Sequence, residues 1–152
     1  YKRQEGNTLT QDQAQAIEQA NHVFGEVAAL RPNSYLGYYW QAKASSLLDP
    51  DYTKGLAKPY YLKAIELLEQ SGESKDHLIE CYKQLSFYYY SQQAYDMAIE
   101  YARKVQTVDP DDDYAKRMIE TATVAASQKP IVKKSTTKKS TAKKTVRKRS
   151  KR

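Results

Sequence analysis

Apolar residues along this chain recur three and four apart, in blocks separated by Pro, Gly and Asp-Pro. That period marks amphipathic helices rather than strands. The first block holds Ala16, Ala20, Phe24, Val27 and Ala28 and predicts a helix over 11–30, which Pro32 closes off. At its start Thr10 and Gln13 have capping-box spacing, so a hydroxyl and an amide can satisfy N–H groups that lack helical acceptors. Asn33-Ser34 opens a second helix over 35–48, and Asp49-Pro50 ends it because Pro cannot continue the ladder. A third helix is expected over 56–69, with Ala57, Tyr61, Ala64 and Ile65 on one face. Its Pro59 sits in the first turn, where no helical acceptor is wasted. Helices over 75–91 and 94–108 come next. Asp111-Asp112-Asp113 then set negative charge at the start of a helix over 113–127, where the macrodipole favours it. Tyr114, Met118, Ala122 and Ala125 give this last helix a single apolar stripe, as a capping helix needs. The fold class expected is all-α.

The stretch 82–110 carries a more specific pattern. It reads Tyr82-x-x-Leu85-Ser86-x-x-Tyr89, then Tyr95-x-x-Ala98, then Tyr101-Ala102, and closes on Asp109-Pro110. This resembles the tetratricopeptide (TPR) repeat, W-x2-L-G-x2-Y, then A-x3-F, then P. Ala102 stands where an aromatic is usual, with Tyr101 beside it. Ala20-x3-Phe24-x7-Pro32 is similar to the second half of another repeat. Over 35–48 two registers fit. One places Ala42 at the close-packing position, with Gln41 and Ser45 where the family prefers Leu and Tyr; the other rests on Tyr35, Tyr38, Tyr39 and Ala42. Ala20, Ala57 and Ala98 stand 37 and 41 residues apart. Against a repeat of about 34 residues, roughly three extra fall in the turn inside one repeat and about seven in the loop 70–76.

The resemblance implies a TPR-like helix–turn–helix solenoid over 11–127, with 1–10 as the frayed end of a preceding repeat. It implies a non-catalytic scaffold whose first helices line a concave groove for a protein or peptide segment. Carried over by position, the groove presents Leu36, Tyr39, Trp40 and Lys43 from one repeat and Lys83, Phe87 and Tyr90 from the next. A clamp for C-terminal carboxylates is not expected, since Phe87 stands where that subfamily has Asn. Aromatics interspersed with lysines suit a segment with apolar anchors and some acid. Tyr61, Tyr82, Tyr89 and Tyr95 read instead as packing between helices. The likeness extends to TPR arrays of bacterial envelope proteins and points to the envelope or periplasm, with the cytoplasm as the alternative.

Charge divides the chain in two. The net +7 combines a body, 1–129, of 14 Lys and Arg against 18 Asp and Glu with a tail, 130–152, of 11 basic residues and no acid. The tail's basic residues are Lys133, Lys134, Lys138, Lys139, Lys143, Lys144, Arg147, Lys148, Arg149, Lys151 and Arg152. Dibasic pairs every five residues match neither helix nor strand, and apolar residues are scarce, so 128–152 is expected to be disordered. Its composition resembles the Lys/Ser/Thr tails of linker-histone-type proteins. Such a run binds nucleic acid or another polyanion by counterion release, without sequence preference because base-stacking aromatics are missing.

No catalytic constellation, cofactor motif or metal-ligand spacing appears. Cys81 is the single cysteine, which excludes an internal disulfide, and it reads as a small packed residue. His22 and His77 have no convincing ligand partners in sequence. Asp109–Asp113 lacks the Gly and distal Glu of a calcium loop and reads as helix capping. No apolar run approaches the ~20 residues that cross a bilayer. Because the chain opens on Tyr1, it is expected to be a piece of something longer.

Overall fold

A computed structural model describes residues 9–128. The first helix, α1 (Gln11–Leu30), starts from a capping box: Gln13 N–H donates to Thr10 Oγ1 at 3.2 Å and Thr10 N–H to Gln13 Oε1 at 2.9 Å. Ser34 caps α2 (Tyr35–Leu48), and Ser74 caps α4 (Lys75–Ser91) by accepting from His77 N–H at 3.2 Å. A tight turn joins α4 to α5 (Tyr95–Val108). The last helix, α6 (Asp113–Gln128), is entered through Asp112, whose Oδ1 accepts from Ala115 N–H at 2.8 Å.

The third helix, α3 (Lys58–Ser71), begins about two residues later than its sequence suggests and ends two later. Gly55 takes φ +67°, outside the right-handed helical region, and Lys58 N–H donates to its carbonyl at 3.3 Å in a turn, so the first helical bond, from Tyr61 N–H, falls on the Ala57 carbonyl. At the far end Gly72 takes φ +66° and donates back to the Leu68 carbonyl, a left-handed stop that glycine reaches without strain.

Each helix packs on its neighbours in sequence, α1 on α2 through to α5 on α6, with a lighter contact between α4 and α6. This is the one-dimensional order of a solenoid. A continuous core runs from Tyr35 to Ala122. Fully buried alanines mark the helix crossings: Ala42, Ala64, Ala98, Ala102, Ala115 and Ala122. Ser86 joins them, and its hydroxyl donates to the Ala98 carbonyl at 2.8 Å. At the α1–α2 crossing the small residue is Gly37, where an added Cβ would lie 2.6 Å from Ala28 N. Tyr61 and Tyr82 are core residues, and Tyr89 and Tyr95 pack half-buried against that core. Of the frayed end expected over 1–10 and the disordered run expected over 128–152, Thr10 instead caps α1 and Gln128 instead ends α6, and apart from these and Leu9 both lie outside the described residues.

Candidate functional site

The site begins with a buried carboxylate. Asp49 closes α2 and is 4% exposed. It accepts from the N–H groups of Lys54 at 3.1 Å, Gly55 at 2.7 Å and Leu56 at 3.4 Å, and from the Thr53 hydroxyl at 3.3 Å. Burial alone would raise its pKa; the backbone N–H groups outweigh that and hold it below the usual carboxylate range. The turn wound around Asp49 puts Tyr52 in a left-handed conformation, φ +56°. From there its ring meets Phe87 edge-on, 5.2 Å between centroids, and its hydroxyl donates to Gln84 Oε1 at 2.9 Å. Gln84 and Phe87 are three apart on α4, so Tyr52, Gln84 and Phe87 form one ridge.

A cavity lies on each side of that ridge. The larger, about 560 Å³, lies among α1, α2 and the 49–57 loop and is lined by Ile17, Phe24, Trp40, Leu47, Tyr52 and Gln84, among others. Phe24 and Trp40 stack at 6.0 Å, and Trp40 remains 44% exposed. The smaller, about 180 Å³, lies between α4 and α6 and is lined by Phe87, Tyr90, Tyr114, Arg117, Met118 and Thr121. Phe87 is also 44% exposed.

The seven groove positions expected from the resemblance are divided by the structure. Trp40 and Lys43 line the larger cavity; Phe87 and Tyr90 line the smaller. Leu36 is exposed but lines neither. Tyr39 is 3% exposed, a correction to its place in the groove. Its ring stacks on His77 at 4.4 Å and its hydroxyl donates to Glu80 Oε2 at 2.5 Å, because the α2 face it occupies turns toward α4. Burial, then the Glu80 contact, push the Tyr39 phenol far above its ordinary pKa. The lysines are already engaged. Lys43 pairs with Glu80 and Lys83 with Asp112. Burial opposes ionisation of both acids, but the lysines and further donors outweigh it and lower both pKa values.

Sequence reasoning missed Ile17, Phe24, Tyr52, Gln84, Tyr114 and Arg117. Two signals were available: the extra residues in the turn after Asp49, and Tyr114, Arg117 and Thr121 at i, i+3 and i+7 on α6. The tail's basic residues lie outside the described residues.

Cys81 is fully buried and its thiol is pushed up to about 12 by that burial, so it stays protonated. Asp109 Oδ1 accepts from Asp111 N–H, Asp112 caps α6, and Asp111 pairs with Lys116. Among the described residues no cluster of three or more His, Cys, Asp or Glu is placed to hold a metal, and no helix is long and apolar enough to cross a membrane.

The chain is similar to the crystal structure of the C-terminal part of a TPR repeat-containing protein from Cytophaga hutchinsonii. The two are 34% identical with a TM-score of 0.65, over 71% of this chain and 45% of that one. This chain thus spans less than half of that structure's length. No family model and no curated protein matches it. Six helices, no strand among the described residues and this neighbour together identify the fold as a TPR-type helical repeat.

Proposed function

We propose that this TPR-type helical repeat is a non-catalytic scaffold that holds a segment of a protein partner across the Tyr52–Gln84–Phe87 ridge. The observation that carries the reading is the pair of large rings, Trp40 and Phe87, each left 44% exposed at the mouths of adjoining apolar cavities. Exposed rings beside concave apolar surface are what anchor residues of a partner fill. The TPR relationship supports an interaction scaffold of this kind.

Trp40 is the only tryptophan, so its fluorescence reports the larger cavity directly. A binding peptide taken from a display selection should shift Trp40 emission on titration. Trp40→Ala and Phe87→Ala, followed by calorimetry, should each weaken that peptide by about tenfold or more. Far-ultraviolet circular dichroism should not change. Loss of helicity in both variants would make the rings core, and the groove assignment would fail.

The division of charge favours a second reading, in which residues 130–152 hold a polyanion while the body recruits a partner. If about half of the 11 charges engage duplex DNA, log K should fall against log salt with a slope of roughly −4 to −5. Flat binding at two salt concentrations would remove this reading and leave the groove untouched.

A further inference from the structure

We infer that the partner segment is extended and acidic at a defined place: two large apolar side chains fill the two cavities, and an Asp or Glu beside the second meets Arg117. The inference rests on the groove reading and adds the chemistry of what the groove takes.

Two cations line these cavities, Lys43 the larger and Arg117 the smaller. Lys43 is neutralised within the fold by Glu80. Neighbouring cations are also paired, Lys83 with Asp112 and Lys116 with Asp111. Arg117 is exposed and its Nε donates only to the carbonyl of Asp113 one turn back, at 3.3 Å; no carboxylate among the described residues pairs with it. A guanidinium at the edge of an apolar cavity, with donors still in hand, matches a carboxylate in a two-pronged geometry that an ammonium cannot reproduce. The cavity itself has no charged lining residue besides Arg117, so its surroundings do not compete for the incoming acid.

The ridge argues for an extended segment. Phe87 and Tyr52 stand in contact between the two cavities, so a ligand must cross the ridge with its side chains descending on either side. An extended backbone directs alternate side chains to one face and meets that demand.

The test is a selection of random linear peptides on the full chain, repeated with Arg117→Glu, followed by affinities read from Trp40 emission. Selected peptides should share two large apolar positions at fixed spacing, with Asp or Glu within two residues of the second. Arg117→Gln should weaken such a peptide about threefold and Arg117→Glu about tenfold, as for a partly exposed ion pair. Replacing the peptide's acid by Ala should cost about threefold on the wild type and nothing on Arg117→Gln. Two-anchor peptides whose acids are scattered, and whose binding ignores Arg117, would overturn the inference while leaving the groove standing. The basic run 130–152 would produce that outcome by attracting acid without register. If no peptide is selected, or if Trp40→Ala and Phe87→Ala leave selection unchanged, the groove reading fails and this inference fails with it.

Discussion

The two helix pairs, α2 with α3 and α4 with α5, reach the same architecture by different means. Between α4 and α5 the chain turns within residues 92–94, and the helices approach until Ser86 donates directly to the Ala98 backbone. Tyr89 and Tyr101 then stack at 5.5 Å, 15° from parallel. Between α2 and α3 the connection spans 49–57, and its order comes from one buried carboxylate gathering three backbone N–H groups. The longer loop is not slack. It places Tyr52 on α4 and so builds the ridge that separates the cavities. The pair with the departure from regular spacing contributes the side chain that divides the two cavities.

The largest expected effect therefore lies in the loop. Asp49→Ala leaves three partly buried backbone donors without their charged acceptor and should cost about 3 kcal/mol in urea unfolding. Its pH dependence has a definite sign. The folded pKa lies below the unfolded one, so the stabilisation is complete above an unfolded value of ~3.9 and is lost as pH falls through the folded value. Asp49→Ala should flatten that acid limb of the stability profile. An unaltered limb would mean that other carboxylates set it.

The tight pair should respond next. Ala98 is fully buried with its carbonyl bonded to Ser86, so Ala98→Leu must force α4 and α5 apart, at a cost of ~1–3 kcal/mol. A variant that melts at the wild-type temperature would show the crossing to be looser than its geometry.

Why the pairs were unequally legible follows from the same contrast. Helix positions announce themselves through local chemistry: Thr10 with Gln13, Pro32, Asp-Pro and Gly72 act within a few residues of where they stand. Ala98 is legible because a small residue set between large ones at helical spacing marks the point where two helices touch. Asp49 reads in sequence as a helix terminator, and nothing local says that its carboxylate turns inward to organise the next seven residues. Tyr39 and Trp40 differ only by the 100° between successive helical positions, yet one is 3% exposed and the other 44%. Their partners on α4 and α1 decide this, and those lie 41 and 16 residues away in sequence, at Glu80 and Phe24. Lys43 and Lys83 read as free cations for the same reason: Glu80 and Asp112 meet them only after folding.

The smallest effect would measure how the two connections cooperate. Gln92, in the tight turn, sends its Nε2 to the Tyr52 carbonyl in the long loop at 2.8 Å. That side chain is exposed, so water replaces the bond readily and Gln92→Ala should cost only a few tenths of a kcal/mol. Tyr52→Phe removes the hydroxyl bond to Gln84 while keeping the ring on Phe87, and should cost about 0.5–1 kcal/mol. Both bonds hold the same left-handed residue, one by its carbonyl and one by its phenol, so their losses should not add. With both gone, Tyr52 is held by Asp49's turn and ring packing alone, and the double variant should lose more than the sum of the singles. Trp40 emission offers a second readout, since Tyr52 lines the cavity that Trp40 occupies. A strictly additive pair with unchanged emission would mean that Asp49 alone positions Tyr52, and that the tight turn contributes nothing to the cavity Tyr52 lines.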